Sequence, residues 1–251
     1  MSTRLYLNAG TAGAVNIGAQ VGTLWEQNIS GAYSTKELGT SPDGNSNTDH
    51  NTSSLGNGTN PCDICFGQFI SATLPSGVTI SGTISGNITC KEGNTSDNLF
   101  TQLGLYVVNS SGVLVATLLG GVTSGGTEID NVSGKNRNLP RAGATAISSY
   151  TTVNSTSRVV AEVGVRTEST RTTCVGSMWF GSGATSDLAT GDSTDNSTTK
   201  RPWIEFSADI FTPPAGGGAR SSAAVAMGYH EQHDDPEFGS WRRRRSGLWV
   251  R

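Results

Sequence analysis

The sequence predicts an all-β protein: an antiparallel β-sandwich of the jelly-roll kind, with an extended N-terminal segment and a C-terminal arm. Three observations carry this expectation. Apolar and polar residues alternate over 78–90 and 158–167, the period of a strand with one dry and one wet face. No long window holds a 3.6-residue apolar repeat with helix caps. The composition is 34% hydrophobic and 15% charged with 33 glycines, which fits short strands joined by turns. Recurrent Val, Ile and Thr set it apart from a disordered chain.

The elements follow in order. Residues 4–7 read as a short strand, followed by a Gly/Ala-rich extended stretch to Leu24 and Trp25. Residues 39–61 are almost free of apolar side chains and read as a long polar loop. Strands are expected at 66–74 and at 78–90. In the second, Val78, Ile80, Gly82, Ile84, Gly86, Ile88 and Cys90 share the dry face, and Thr79, Ser81, Thr83, Ser85, Asn87 and Thr89 the wet one. Its length calls for a bend or bulge at one of the glycines. Leu99–Val108 and 113–119 form a hairpin turning at Gly112. A second polar loop is expected at 120–143, then strands at 144–153, Arg158–Thr167 and Cys174–Phe180. Polar text covers 187–200, and 203–211 is the last strand. The organisation is thus residues 1–30 as an extended segment, 31–213 as the body, and 214–251 as an arm hinged on Gly216, Gly217 and Gly218.

Bulk properties exclude several function classes. A net charge of −3 gives no global attraction to nucleic acid or to an acidic membrane. The first ten residues lack an apolar signal core, and no apolar run approaches the ~20 residues of a membrane span. Synthesis in a cytosol and a soluble product are the expectation. The nine Asn-x-Ser/Thr triplets then follow from composition rather than from glycosylation.

Candidate chemistry is sparse. Cys62-x-x-Cys65 has metal or redox spacing, but Cys90 and Cys174 do not form a second such pair. Structural thiols are the favoured reading, with zinc and disulfide or redox use as the alternatives. His230, Glu231, His233, Asp234 and Asp235 form the densest group of metal-capable side chains. They lie where no apolar frame supports a preformed site, so a solvated segment is favoured over a metal centre. Asp49-His50 is isolated. Ser177 and Ser182 lie in Gly/Ser-rich text without a strand–Ser–helix context, and no phosphate-binding Gly pattern opens a helix. A non-enzymatic protein without cofactors is expected. Trp179 and Trp203 are strand aromatics, read as core ahead of a glycan-binding face.

Three segments together resemble structural proteins of tailed bacteriophages. They are Thr3-Arg-Leu-Tyr-Leu with Trp25-Glu26, Ile80-Ser-Gly-Thr-Ile-Ser-Gly-Asn-Ile, and Pro202-Trp-Ile-Glu-Phe-Ser207. Leu139-Pro-Arg-Ala-Gly and Arg158-Val-Val-Ala-Glu-Val-Gly precede the last of them. The resemblance runs over residues 3–212 and stops before the arm, which most such proteins lack. It implies a virion component made in the host cytoplasm, of the capsid decoration, cement or head–tail accessory type. Partners would be other copies of the chain and other capsid or tail proteins, with no membrane and no small-molecule substrate. The alternative on the same fold is a glycan-binding or host-adhesion module.

The arm supplies the candidate docking residues. Phe238, Trp241, Leu248 and Trp249 surround Arg242, Arg243, Arg244 and Arg245, and aromatics and Arg are the types enriched at binding hot spots. The favoured target is an acidic patch on a neighbouring subunit. A disordered solubilising tail, which would carry few aromatics, is the second reading, and a minor contact of the arginines with packaged DNA the third.

Overall fold

The computed structural model describes residues 1–212 except 47, 56–60, 132, 171, 182, 184, 185 and 194–197, together with short pieces of backbone at 242–243 and 249–250; at 49 and 51–55 it describes the backbone alone. Contacts divide the chain into Met1–Pro213 and Pro214–Arg251. In the first unit all regular structure is β and no helix occurs among the described residues.

The strands are β1 (Thr3–Ala12), β2 (Gln27–Asn28), β3 (Lys36–Gly39), β4 (Thr48–Leu55), β5 (Cys62–Thr73), β6 (Thr79–Ile80), β7 (Thr83–Glu92) and β8 (Leu99–Val108). They continue with β9 (Leu114–Gly120), β10 (Lys135–Asn138), β11 (Thr145–Ala146), β12 (Tyr150–Thr151), β13 (Arg158–Thr167), β14 (Cys174–Phe180) and β15 (Trp203–Phe206). Thirteen of them make one sheet, whose main path runs β4-β14-β7-β15-β1-β3-β5-β13-β8-β9. The sheet is mixed rather than purely antiparallel. Both β2 and β3 run parallel to β5, with Lys36 opposite Phe69 and Gln27 opposite Ile64, because the chain returns along 13–35 before β3 enters between β1 and β5.

The alternating run at 78–90 breaks where a glycine permits it. Gly82 has φ +91, a conformation costly for residues with a Cβ, and it separates β6 from β7. Ile80, Ile84, Ile88 and Cys90 are buried as the alternation requires. Asn87 and Thr89, expected to face water, are buried as well. The segment after Leu188 covers this face: Asn87 Nδ2 donates to Gly191 O at 3.0 Å, and Asn136 Nδ2 donates to Ala189 O and Gly191 O at 2.8 and 3.0 Å. The expected polar loops also contain strands. β4 lies within 39–61 as the partner of β14, and β10 lies within 120–143 as a partner of β7. The first strand extends to Ala12 and is interior, with β15 on one side and β3 on the other.

The main core joins distant parts of the sheet. Phe69 on β5 meets Phe180 on β14 with ring centroids 5.1 Å apart, although four strands separate β5 from β14 in the sheet order. A Cβ on Gly176 of β14 would sit 2.8 Å from Leu99 Cδ1 of β8. The two halves therefore fold toward each other over one apolar cluster that includes Leu5, Leu7, Ile88, Leu103, Val163 and Ile204. Residues 145–148 bridge the halves. Thr145 pairs with Ile84, Ile147 N donates to Gly82 O, and Ser148 N donates to Leu118 O of β9 at 2.8 Å.

Candidate functional site

The first unit concentrates its polar chemistry on the second face of β5, β13 and β8. That face is covered by the chain between β1 and β3, which has no regular structure apart from β2. Ile70, Tyr106, Val108 and Val160 form a small apolar cluster there, packed by Val15, Ile17 and Val21. Beside it, Glu162 is fully buried. Its Oε1 accepts Val21 N at 2.8 Å and Gln68 Nε2 at 2.9 Å, and its Oε2 accepts Trp25 Nε1 at 2.8 Å. Gln68 in turn accepts Thr35 Oγ1 at 2.6 Å and donates to Ala19 O at 2.8 Å. One strand residue thus ties down Ala19, Val21, Trp25 and Thr35 directly or through one side chain. Burial pushes the Glu162 carboxyl above its ordinary value, and the three donors oppose that rise.

The polar strip continues along the same face. Asp63 accepts Arg166 Nη1 and Gln102 Nε2, both at 3.0 Å, and Gln102 Oε1 accepts Val122 N at 2.9 Å. Gly164 is required where this layer is thinnest, since a Cβ would lie 2.0 Å from Ile64 O and 2.8 Å from the Trp25 ring. Sequence reading placed Glu162 on the wet side of an alternating strand. The available signal was a lone carboxylate among Val160, Val163 and Val165 of a strand apolar on both faces, since a two-sided apolar run marks a strand buried on both faces.

A second carboxyl cluster sits at the end of β7. A groove of about 260 Å³ is lined by Glu92, Thr95, Glu128, Ile129, Asp130 and Arg137. Burial pushes the Glu92 carboxyl up to about 7. A hydrogen bond from Leu99 N opposes the rise, and the negative charges of Glu128, Asp97 and Asp130 add to it. Arg137 bonds the carbonyls of Glu128, Asn136 and Ser193. Among the described residues, no group of three or more His, Cys, Asp or Glu is placed to hold a metal ion.

The residues singled out in the sequence are distributed as follows. All four cysteines are buried. Burial pushes the Cys62 thiol up to about 12 and the Cys65 and Cys90 thiols upward as well, which disfavours the thiolate that metal binding and redox exchange require. His50 lies edge-on to Phe180 at 5.1 Å. Ser177 is half-buried on β14. Trp203 is 2% exposed, donates Nε1 to Leu188 O at 2.9 Å and lies under the Arg4 guanidinium, so it is a core residue. Trp179 is half-buried. Ser182, the cluster from His230 to Asp235, and Phe238, Trp241, Arg244, Arg245 and Leu248 lie outside the described residues. Of the second unit, the structure describes one antiparallel pairing, Arg242 opposite Val250 and Arg243 opposite Trp249.

No family model matches the chain, and no curated protein matches it in sequence. Among solved structures, it is similar to a chain in the structure of infectious bursal disease virus Gx strain. The identity is 12% and the TM-score 0.32, with 64% of this chain and 34% of that chain covered. It is also similar to a CocE/NonD family hydrolase from Staphylococcus aureus, at 10% identity and TM-score 0.24, with 84% of this chain and 35% of that chain covered. The chain spans about a third of the length of either. No helix among the described residues is long and apolar enough to cross a membrane.

Proposed function

We propose that this chain is a non-enzymatic structural subunit of a tailed-bacteriophage particle, a capsid decoration, cement or head–tail accessory protein. In this reading the β unit is a jelly-roll-like sandwich, and the C-terminal segment docks on a neighbouring subunit. The observation that supports it most is where the buried charges spend their bonds. The buried charged side chains among the described residues are Asp63, Glu92, Asp97, Arg137, Arg141 and Glu162, and each bonds another part of its own fold. Asp97 accepts Val175 N, Arg141 pairs with Glu168 at 2.7 Å, and the others are held as described above. Groups arranged in this way rigidify a scaffold. A catalytic constellation instead aims convergent groups into a cleft.

The segment beyond the last strand carries the recognition chemistry. Thr3 pairs with Phe206, and Thr3 Oγ1 accepts Ile210 N at 3.1 Å, so the chain leaves the β unit beside its first strand. Phe238, Trp241, Leu248 and Trp249 with Arg242, Arg243, Arg244 and Arg245 then offer aromatic anchors and guanidinium donors to an acidic partner surface. The deciding experiment ends the chain at Pro214. The shortened protein keeps the circular dichroism and melting profile of the full chain but no longer joins particles. Incorporation equal to that of the full chain defeats the reading. Retained incorporation after Arg242–Arg245 are changed to Gln, with loss of bound nucleic acid, moves the arginines to the DNA.

A further inference from the structure

The groove where β7 ends is built from fixed backbone. Glu92 N donates to Asp130 O at 3.0 Å and Ile129 N to Leu99 O at 2.8 Å, which holds residues 128–130 along one wall. Gly93 N donates to Val175 O at 2.6 Å and Asp97 N to Asn94 O at 2.9 Å, which fixes the turn that follows Glu92. The volume of about 260 Å³ is therefore preformed rather than assembled on binding.

Its charge is one-sided. Three of its lining residues, Glu92, Glu128 and Asp130, carry carboxylates, and Arg137 carries a guanidinium. Arg137 spends Nε and Nη1 on the carbonyls of Glu128, Asn136 and Ser193. Neither Glu92 nor Glu128 has an ion-pair partner among the described residues. Glu92 separates the groove from an ordinary acidic surface. It is 2% exposed. Its Oε2 accepts Leu99 N at 3.2 Å, and its Oε1 accepts no hydrogen bond among the described residues. A buried carboxylate oxygen without a donor is costly. Because Glu92 lines an open groove, a donor from outside can reach it.

The arrangement selects the occupant. No group of three or more His, Cys, Asp or Glu among the described residues is placed to hold a metal ion, so the carboxylates do not converge on one point charge. A guanidinium or ammonium group meets separate oxygens with separate N–H donors. The volume lies below that of pockets for drug-sized ligands and suits a single side chain, whose methylene stem can pack on Ile129. A polyamine spreads its charges along a chain and calls for a row of carboxylates longer than this groove. We propose that the groove bounded by Glu92, Glu128 and Asp130 receives an arginine or lysine side chain of a protein partner. The site belongs to the first unit and does not rest on the role proposed for the terminal segment.

The test measures binding of a fluorescein-labelled tetra-arginine peptide to the full chain, by fluorescence anisotropy at constant salt. E92Q keeps an acceptor for Leu99 N, and E128Q changes an exposed side chain, so both retain the circular dichroism of the unaltered protein. Each weakens binding about tenfold. E26Q removes the same charge from an exposed position outside the groove and does not. The charged groups facing Glu92 from neighbouring segments are Glu128, Asp130, Asp97 and Arg137. Burial and the three carboxylates raise Glu92 to about 7, so affinity rises from pH 6 to pH 8 as Glu92 ionises to meet the cation, and E92Q loses this rise. Unchanged binding by E92Q, or an equal loss in E26Q, overturns the proposal. Spermidine binding that is lost in E92Q and E128Q, with peptide binding unaffected, replaces the protein partner with a free polyamine.

Discussion

Glu162→Ala tests whether the cover over the second face hangs on one carboxylate. The substitution removes the acceptor of Val21 N, Trp25 Nε1 and Gln68 Nε2. A buried donor left without an acceptor costs about 1–3 kcal/mol. Removing the buried charge returns part of that sum, because an ionised carboxylate is itself costly to desolvate. The net loss is about 3–5 kcal/mol, with the Ala cavity included. For a unit of this size that lowers the melting temperature by roughly 10 °C. Urea unfolding at constant m reads the loss directly. Hydrogen exchange at Val21 locates it, since protection there falls more than in β13. The double variant with Trp25→Phe costs less than the sum of the singles, because both remove the same bond. Since burial raises the Glu162 carboxyl, its favourable contribution is full below the ordinary value of 4.5 and is lost as pH rises through the raised one. The gap between wild type and variant therefore narrows toward alkaline pH. A loss below about 1 kcal/mol refutes the reasoning and makes the cover a consequence of apolar packing by Val15, Ile17 and Val21.

Three further outcomes are expected. Glu92→Gln flattens the pH dependence of stability: the wild-type carboxyl, raised to about 7, stabilises fully below the ordinary 4.5 and loses that contribution through pH 7, by about 1 kcal/mol after solvent screening. Urea titrations at pH 5 and 8 that give the same wild-type stability contradict this. Ile84→Asp places an unpaired charge at a fully buried position and costs several kcal/mol; a wild-type melting profile refutes the assigned register of β7. Purified tag-free protein contains no stoichiometric zinc, and elemental analysis finding zinc that is lost in Cys62→Ser/Cys65→Ser reverses the assignment of these cysteines as structural thiols.

Strands packed on one side were legible in the sequence. The alternation that marks β7, the need for a break at one of its glycines, and the β8–β9 hairpin turning at Gly112 were legible, and the structure sets the break at Gly82. Strands whose contrast is erased were not. β4 and β10 carry polar side chains because they pair through backbone at the margins of the sheet, and a polar margin strand reads like a loop. Asn87 and Thr89 keep the residue types of a wet face although a loop covers them, and the loop gives the Asn87 Nδ2 a carbonyl from Gly191 in place of water. The parallel insertion of β3 is a long-range choice that no local pattern encodes. The docking residues proposed in the terminal segment rest on composition alone.

A buried polar layer held by Glu162 fixes the segment 13–35 on the second face, and that segment brings Ile17 beside the hairpin turn. Rigidity at the hairpin therefore depends on a carboxylate remote from it, through Thr35, whose Oγ1 accepts Ile17 N at 3.0 Å and donates to Gln68 at 2.6 Å. Loosening that layer costs the hairpin turn its flanking apolar side chain. Glu162→Ala should consequently lower hydrogen-exchange protection at Ile17 more than at Val113 of the hairpin. An equal loss of protection at both would mean that the variant unfolds the β unit as a whole, which the urea transition at constant m distinguishes. Unchanged protection at Ile17 in a folded Glu162→Ala protein would refute this dependence and place the rigidity of the hairpin in its own turn bonds from Asn109.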